Sequence, residues 1–180
     1  MGILGNTGSK YYRISWGRKL LPMPGHRGEI KKLLIIRKSK KYFKRNMEKE
    51  IKKMIEEEGI TSFKTFMAYK GALMIDDRQM IGLMEEVKKC GGLINVHATN
   101  GDMIDYLIAK HKSEGKLSPL YHYLSQPEVT EAEASERFVD MTNYTGCPGY
   151  IVHLTCEGAL NAVRNATKRN QKIFVETCIQ

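Results

Sequence analysis

The stretch Gly59-Ile-Thr-Ser-Phe-Lys-Thr-Phe-Met-Ala-Tyr-Lys70 decides how the rest of the chain is read. From Ser62 to Ala68 it alternates in the manner of a strand, with a lysine at its centre. Just before it, Met47 to Glu58 carries apolar residues at 47, 51, 54 and 55, the spacing of an amphipathic helix. Gly59 suits the position just past that helix's end. Toward the C-terminus the alternation repeats. Asp76 or Asp77 caps a helix reaching about Lys89, closed by Gly91-Gly92, and Leu93–His97 is the next strand. A helix from about Gly101 to Ser113 follows, and residues 115–129, with Pro119 and Pro127, read as loop. A helix from about Thr130 to Tyr144 has Glu131 and Glu133 in its first turn, where the helix dipole favours carboxylates. Then come a strand at Tyr150–Leu154, a helix from Cys156 to about Lys168 and a strand at Lys172–Cys178. Helix and strand in strict alternation predict an α/β fold with parallel strands and right-handed crossovers, either a barrel or a doubly wound sheet. No Gly-x-Gly-x-x-Gly or P-loop pattern follows a strand, which argues against a nucleotide-binding sheet.

With 180 residues, 42% hydrophobic and 27% charged, the chain has enough material for one soluble domain with a real core. No stretch approaches the roughly 18–20 apolar residues that span a bilayer, and Met1-Gly-Ile-Leu-Gly5 lacks the charged-then-apolar pattern of a signal peptide. Cys90, Cys147, Cys156 and Cys178 are scattered without a C-x-x-C pair, so reduced thiols in a cytoplasmic protein are expected. The net charge of +9 is unevenly spread. Residues 1–45 hold thirteen Lys/Arg against one acid, a net of +12, while residues 46–180 hold sixteen against nineteen, a net of −3. Two parts follow: a basic segment, 1–45, and an α/β part, 46–180. Leu33–Ile36 reads as a short strand, and Arg37 to Arg45 is a cationic run carrying Tyr42 and Phe43. That run admits three readings: a nucleic-acid-binding arm, a solvated arm, or a segment not native to the domain behind it. The solvated arm is favoured over nucleic-acid binding, because nothing in the run matches a known nucleic-acid module.

In parallel α/β folds reactive side chains gather at the C-terminal ends of strands. Lys64, His97 and His153 meet that test, at gaps of 33 and 56 residues, so consecutive strands would bring them to one mouth. A lone strand histidine is more often a hydrogen-bonded rim residue than a ligand, and spacing alone leaves both readings open. A lysine inside an apolar strand is rarer. Burying its ammonium is costly without a partner, and the neutral amine it favours is reactive. His26, His111 and His122 read as structural or surface residues by their surroundings.

The residues around these three carry a resemblance. The stretch 59–70 resembles the lysine strand of dihydropyrimidinases and hydantoinases, cyclic amidohydrolases of the amidohydrolase superfamily. The likeness continues through Val96-His-Ala-Thr-Asn-Gly-Asp102, Pro119-Leu-Tyr-His122, Glu131-Ala-Glu-Ala134, Tyr150-Ile-Val-His-Leu-Thr-Cys156 and Val175-Glu-Thr-Cys178, covering about residues 47–180. It implies a metal-dependent hydrolase built on a (β/α)8 TIM barrel, of which this chain would hold about four central βα units. It further implies two zinc ions bridged by a carboxylated lysine at Lys64, with His97 and His153 on one zinc. Tyr69 would polarise the substrate carbonyl. The implied reaction is hydrolytic opening of a hydantoin or dihydropyrimidine ring by a homo-oligomer, a tetramer in the family. Three departures stand out. No His-x-His precedes Lys64, the family's zinc-binding aspartate has no counterpart through Gln180, and Thr99 stands where the family usually has Glu. The expectation is therefore a partial barrel with at most one well-ligated zinc, weak or inactive alone. The alternative is a non-catalytic scaffold of the same lineage. Retention of Lys64, Tyr69, His97 and His153 favours the enzyme.

Overall fold

The computed structural model describes the backbone of residues 40–178 and the side-chain surroundings of residues 48–178. The expected strand at Leu33–Ile36, His26 and nearly all of the basic segment lie outside the described residues. The elements run α1 (Lys40–Glu56), β1 (Ser62–Phe66), α2 (Asp77–Lys89), β2 (Leu93–His97), α3 (Gly101–Ser113), α4 (Pro119–Leu124), α5 (Glu128–Thr145), β3 (Gly149–Ile151), α6 (Glu157–Lys168) and β4 (Ile173–Val175). The strands form one parallel sheet in the order β1-β2-β3-β4. This is the α/β architecture expected from the alternation of helix and strand.

The pleat separates two faces. Phe63, Ile94, Val96 and Ile151 are at most 1% exposed and join the core with Leu83, Met84 and Val87 of α2, Phe138 and Val139 of α5, and Ala159, Ala162 and Ala166 of α6. Lys64, Phe66 and His97 alternate with these residues and are only half-buried. The second face thus carries Lys64, Asn95 and His97 together with the Phe66 ring. Asn95 is its best-buried member; its amide donates to Ser62 Oγ at 2.5 Å, which ties β2 to the start of β1.

Local rules account for the helix starts. Asp76 and Gln79 form a reciprocal capping box on α2, Asn100 accepts from Met103 N–H to cap α3, and the Cys156 thiol accepts from Ala159 N–H to cap α6. Residues 119–124 are helical, where loop was expected. Pro119 sits in the first turn of α4, behind Ser118, where its fixed φ and missing N–H suit a helix start. The strands are also shorter than the alternation suggested: β1 ends at Phe66, β3 at Ile151 and β4 at Val175. Backbone bonds still link the chain just past these ends, from Met67 N–H to His97 O, from Val152 N–H to Val96 O and from Leu154 N–H to Glu176 O.

The helix that covers the sheet between α2 and α6 is α5, with eight buried residues; α3 buries only Gly101, and α4 buries none. The crossover from β2 to β3 therefore uses α5, and α3–α4 is an excursion. Gly149 lets α5 come this close. A Cβ there would lie 2.8 Å from both Phe138 Cε1 and Thr142 Cγ2.

Candidate metal centre

Lys64 lies at the middle of β1, His97 at the last position of β2, and His153 two residues past β3. The register pairs Phe66 with His97 and Ile151 with Val96, so the three C-terminal strand ends form one rim. On that rim His153 Nε2 and His97 Nδ1 face each other at 2.9 Å, with ring centroids 4.6 Å apart. One nitrogen carries the proton and the other accepts it. The Tyr69 ring lies 5.1 Å from the His97 ring, and Phe66 lies 5.9 Å from it. Lys64 Nζ sits 5.4 Å from the Phe66 ring centre. Tyr69, His97 and His153 thus stand ring to ring, and Lys64 adjoins them through the Phe66 ring.

Burial sets the electrostatics. Desolvation pushes the Lys64 ammonium down to about 8, opposed by the charge of Glu176, whose carboxylate accepts the Tyr150 hydroxyl at 2.9 Å. Desolvation also pushes His97 down to about 4, reinforced by His153 and by the Lys64 charge. Both groups are driven toward their neutral forms, the forms that hold a metal or react with an electrophile.

Two of the four residues adopt backbone that side-chain-bearing residues avoid. Tyr69 has φ +63° and His153 φ +43°. Such conformations cost on the order of 1–3 kcal/mol each and persist where surrounding contacts over-determine them. At Tyr69 the carbonyl accepts from Ala72 and Leu73 N–H at 3.0 Å, and Lys70 pairs with Asp102 of α3 at 2.5 Å. Gly101 N–H donates to Met67 O at 3.0 Å; a Cβ at Gly101 would come within 3.0 Å of Met67 O and Ala68 Cα, so only glycine lets α3 sit against this turn. No sequence pattern announced the strain, because φ follows from these closures and not from residue type.

Glu131 and Glu133 were expected to serve the dipole of α5. Their oxygens go elsewhere: Glu131 accepts from the Thr155 N–H and hydroxyl, and Glu133 accepts from Asn100 Nδ2 at 2.6 Å. His111 and His122 are occupied within the α3–α4 excursion, with Ser125 Oγ and Gln126 Nε2 respectively, as suits structural residues. Thr99 Oγ1 is buried and finds no hydrogen-bond partner among the described residues.

The donor set suits one metal ion. Two nitrogen ligands at about 2.0–2.1 Å in tetrahedral geometry stand about 3.3 Å apart, so the imidazoles need open by only about 0.4 Å. Among the described residues no cluster of three or more His, Cys, Asp or Glu side chains is set to hold a metal; Lys64 is a further basic side chain near enough to His97 for its charge to act on the imidazole.

The structure is a parallel α/β sheet whose C-terminal edge carries a strained tyrosine and a strained histidine, with a half-buried lysine on the strand beside them. No family model matches the chain. Individual proteins do. A D-hydantoinase from Ralstonia pickettii is 48% identical over 120 residues, 67% of this chain and 26% of the relative. Rat dihydropyrimidinase is 35% identical over 130 residues, 72% of this chain and 25% of the relative. Among solved structures, D-hydantoinase from a Bacillus species superposes with TM-score 0.74 at 37% identity, covering 76% of this chain and 30% of that one. Dihydropyrimidinase from Brevibacillus agri does so with TM-score 0.74 at 36% identity, over 75% and 29%. Over this matched region the chain is homologous to the D-hydantoinases and dihydropyrimidinases. It spans about a quarter of the length of the curated relatives it matches. No helix among the described residues is long and apolar enough to cross a membrane.

Proposed function

We propose that this chain carries part of the active centre of a zinc-dependent cyclic amidohydrolase that opens hydantoin or dihydropyrimidine rings. The observation that carries the reading is the His97 Nδ1–His153 Nε2 pair at 2.9 Å beside a lysine pushed toward its neutral amine. On this reading the four βα units are part of a (β/α)8 barrel, and the whole enzyme is a cytoplasmic homo-oligomer, as its relatives' lineage suggests.

Lys64 would supply a metal ligand after reaction with carbon dioxide. The neutral amine attacks the carbon, a C–N bond forms, one C=O electron pair moves to oxygen, and a proton leaves to solvent. The product is an anionic carbamate with two oxygens to offer. His97 and His153 would complete three protein ligands and leave one position open, the ligand number of a catalytic zinc. A zinc ion held there would supply Lewis acidity and an activated water. Tyr69 lies beside His97 and is 53% exposed, as a group meeting an incoming carbonyl must be. Its phenol would donate to the oxyanion that develops as the ring amide is attacked. The hydrolysis adds hydroxide to the carbonyl carbon and a proton to the departing ring nitrogen. Retention of all four groups supports this reading over a non-catalytic scaffold.

Metal analysis of the chain equilibrated with zinc and bicarbonate tests it. At most about one zinc per chain is expected, lost in Lys64→Ala and in His97→Ala. Two tightly held ions, or binding indifferent to these substitutions, would refute it.

A further inference from the structure

We infer that Glu131 and Glu133, in the first two turns of α5, are positioning residues that hold the His97 and His153 imidazoles in contact; the inference rests on the metal-site reading above. Each carboxylate grips the loop that follows one histidine. Thr155, two residues past His153, donates its backbone N–H to Glu131 Oε1 at 2.6 Å and its hydroxyl to Glu131 Oε2. Asn100, three residues past His97, donates its side-chain amide to Glu133 Oε2 at 2.6 Å. Arg137, one turn along α5, donates from Nε to Glu133 Oε1 at 2.8 Å and reaches Asp77 in the first turn of α2. The Asn100 N–H also donates to Thr130 O at 2.8 Å.

The arrangement follows a simple logic. Carboxylates serving only a helix dipole could turn toward their own N-terminal N–H groups. These two turn toward the loops instead. They stand two residues apart on a helix anchored by buried Thr130, Ala134 and Ser135, so one rigid turn fixes the separation of the two loops. His153 needs that support, since its φ of +43° persists only under external restraint. Metal ligands depend on such outer contacts for their orientation.

The test uses the full chain with ¹⁵N-labelled histidine and two readouts. Without metal, NMR follows the N–H proton shared between His97 and His153; with zinc, chelator competition gives the affinity. The shared-proton signal is expected in the wild type and in Glu131→Gln, whose amide oxygen still accepts the Thr155 N–H. It should be lost in Glu131→Ala and Glu133→Ala, with zinc affinity falling about 10–100-fold. Glu136→Ala, at an exposed position on the same helix, should change neither. Folded alanine variants that keep both properties overturn the inference, as does an equal loss in Glu136→Ala. Should Glu131→Ala fail to fold, Glu133→Ala, which releases the Asn100 amide, decides by itself, and no loss there is equally fatal. A wild type that shows the shared proton but takes no zinc sinks the metal-site reading alone, and the proton signal in the variants still decides the positioning role.

Discussion

If Lys64 is carbamylated, it should react with carbon dioxide far faster than any surface lysine. Carbamylation requires the neutral amine, and Lys64 is pushed down from 10.5 to about 8. At pH 7 about one Lys64 amine in ten is then neutral, against about one in three thousand for an unperturbed lysine. The reactive fraction is higher by roughly 300-fold. Burial of the ammonium causes this, and the Glu176 charge partly opposes it. Glu176→Gln should therefore raise the neutral fraction further. The measurement is a pulse of ¹³C-bicarbonate at pH 7, with ¹³C NMR resolving the Lys64 carbamate from those of the exposed lysines. Lys64→Ala identifies the signal, and zinc should slow its decay by ligating the product. Labelling of Lys64 no faster than that of surface lysines would show that the apolar strand does not activate it. Slower labelling in Glu176→Gln would show that the electrostatic account has the wrong sign.

Three further outcomes are expected. His97 titrates near 4 in the folded chain and near 6.5 when unfolded, so between those values the unfolded state binds more protons. The metal-free chain should therefore keep its full stability above about pH 6.5, lose about 1–2 kcal/mol as pH falls toward 4 after discounting for partial exposure, and level off below; denaturant melts of wild type and His97→Gln should differ by this amount, and parallel curves would contradict it. Gly149→Ala should destabilise by about 1–3 kcal/mol, because the new methyl meets Phe138 and Thr142 at 2.8 Å, and an unchanged urea midpoint would refute the close packing of α5 on β3. Tyr69→Phe keeps the ring against His97 but removes the phenol, so any dihydrouracil or hydantoin ring-opening assayed by ultraviolet absorbance should fall about 10²–10³-fold with zinc content unchanged; undiminished turnover would remove Tyr69 from the proposed chemistry.

The architecture was legible because the two periodicities are local. Apolar residues at 51, 54 and 55 mark a helix, and Phe63 and Thr65 alternating with Lys64 and Phe66 mark a strand, whatever lies elsewhere in the chain. Chain order then placed Lys64, His97 and His153 on successive parallel strands, with reactive groups expected at their C-terminal ends. Pro119 misled because the same fixed φ that breaks a helix also begins one, and only the surrounding chain decides which.

Other features depend on contacts distant in sequence. That α5, and not α3, covers the sheet was settled by packing: Phe138 and Val139 reach the core, while α3 buries nothing beyond Gly101. The positive φ values at Tyr69 and His153 arise from loops closed against other elements, and propensity is blind to them. Glu131 and Glu133 look like ordinary first-turn carboxylates until Thr155, 24 residues away, and Asn100, 33 residues away, are brought to them. By itself the sequence determined which side chains could do chemistry and on which strands they ride, since side-chain type and local period belong to the chain. Only the tertiary structure decided how far apart the imidazoles stand, how dry the lysine is and what holds the loops, since distance, burial and restraint exist only once remote segments pack.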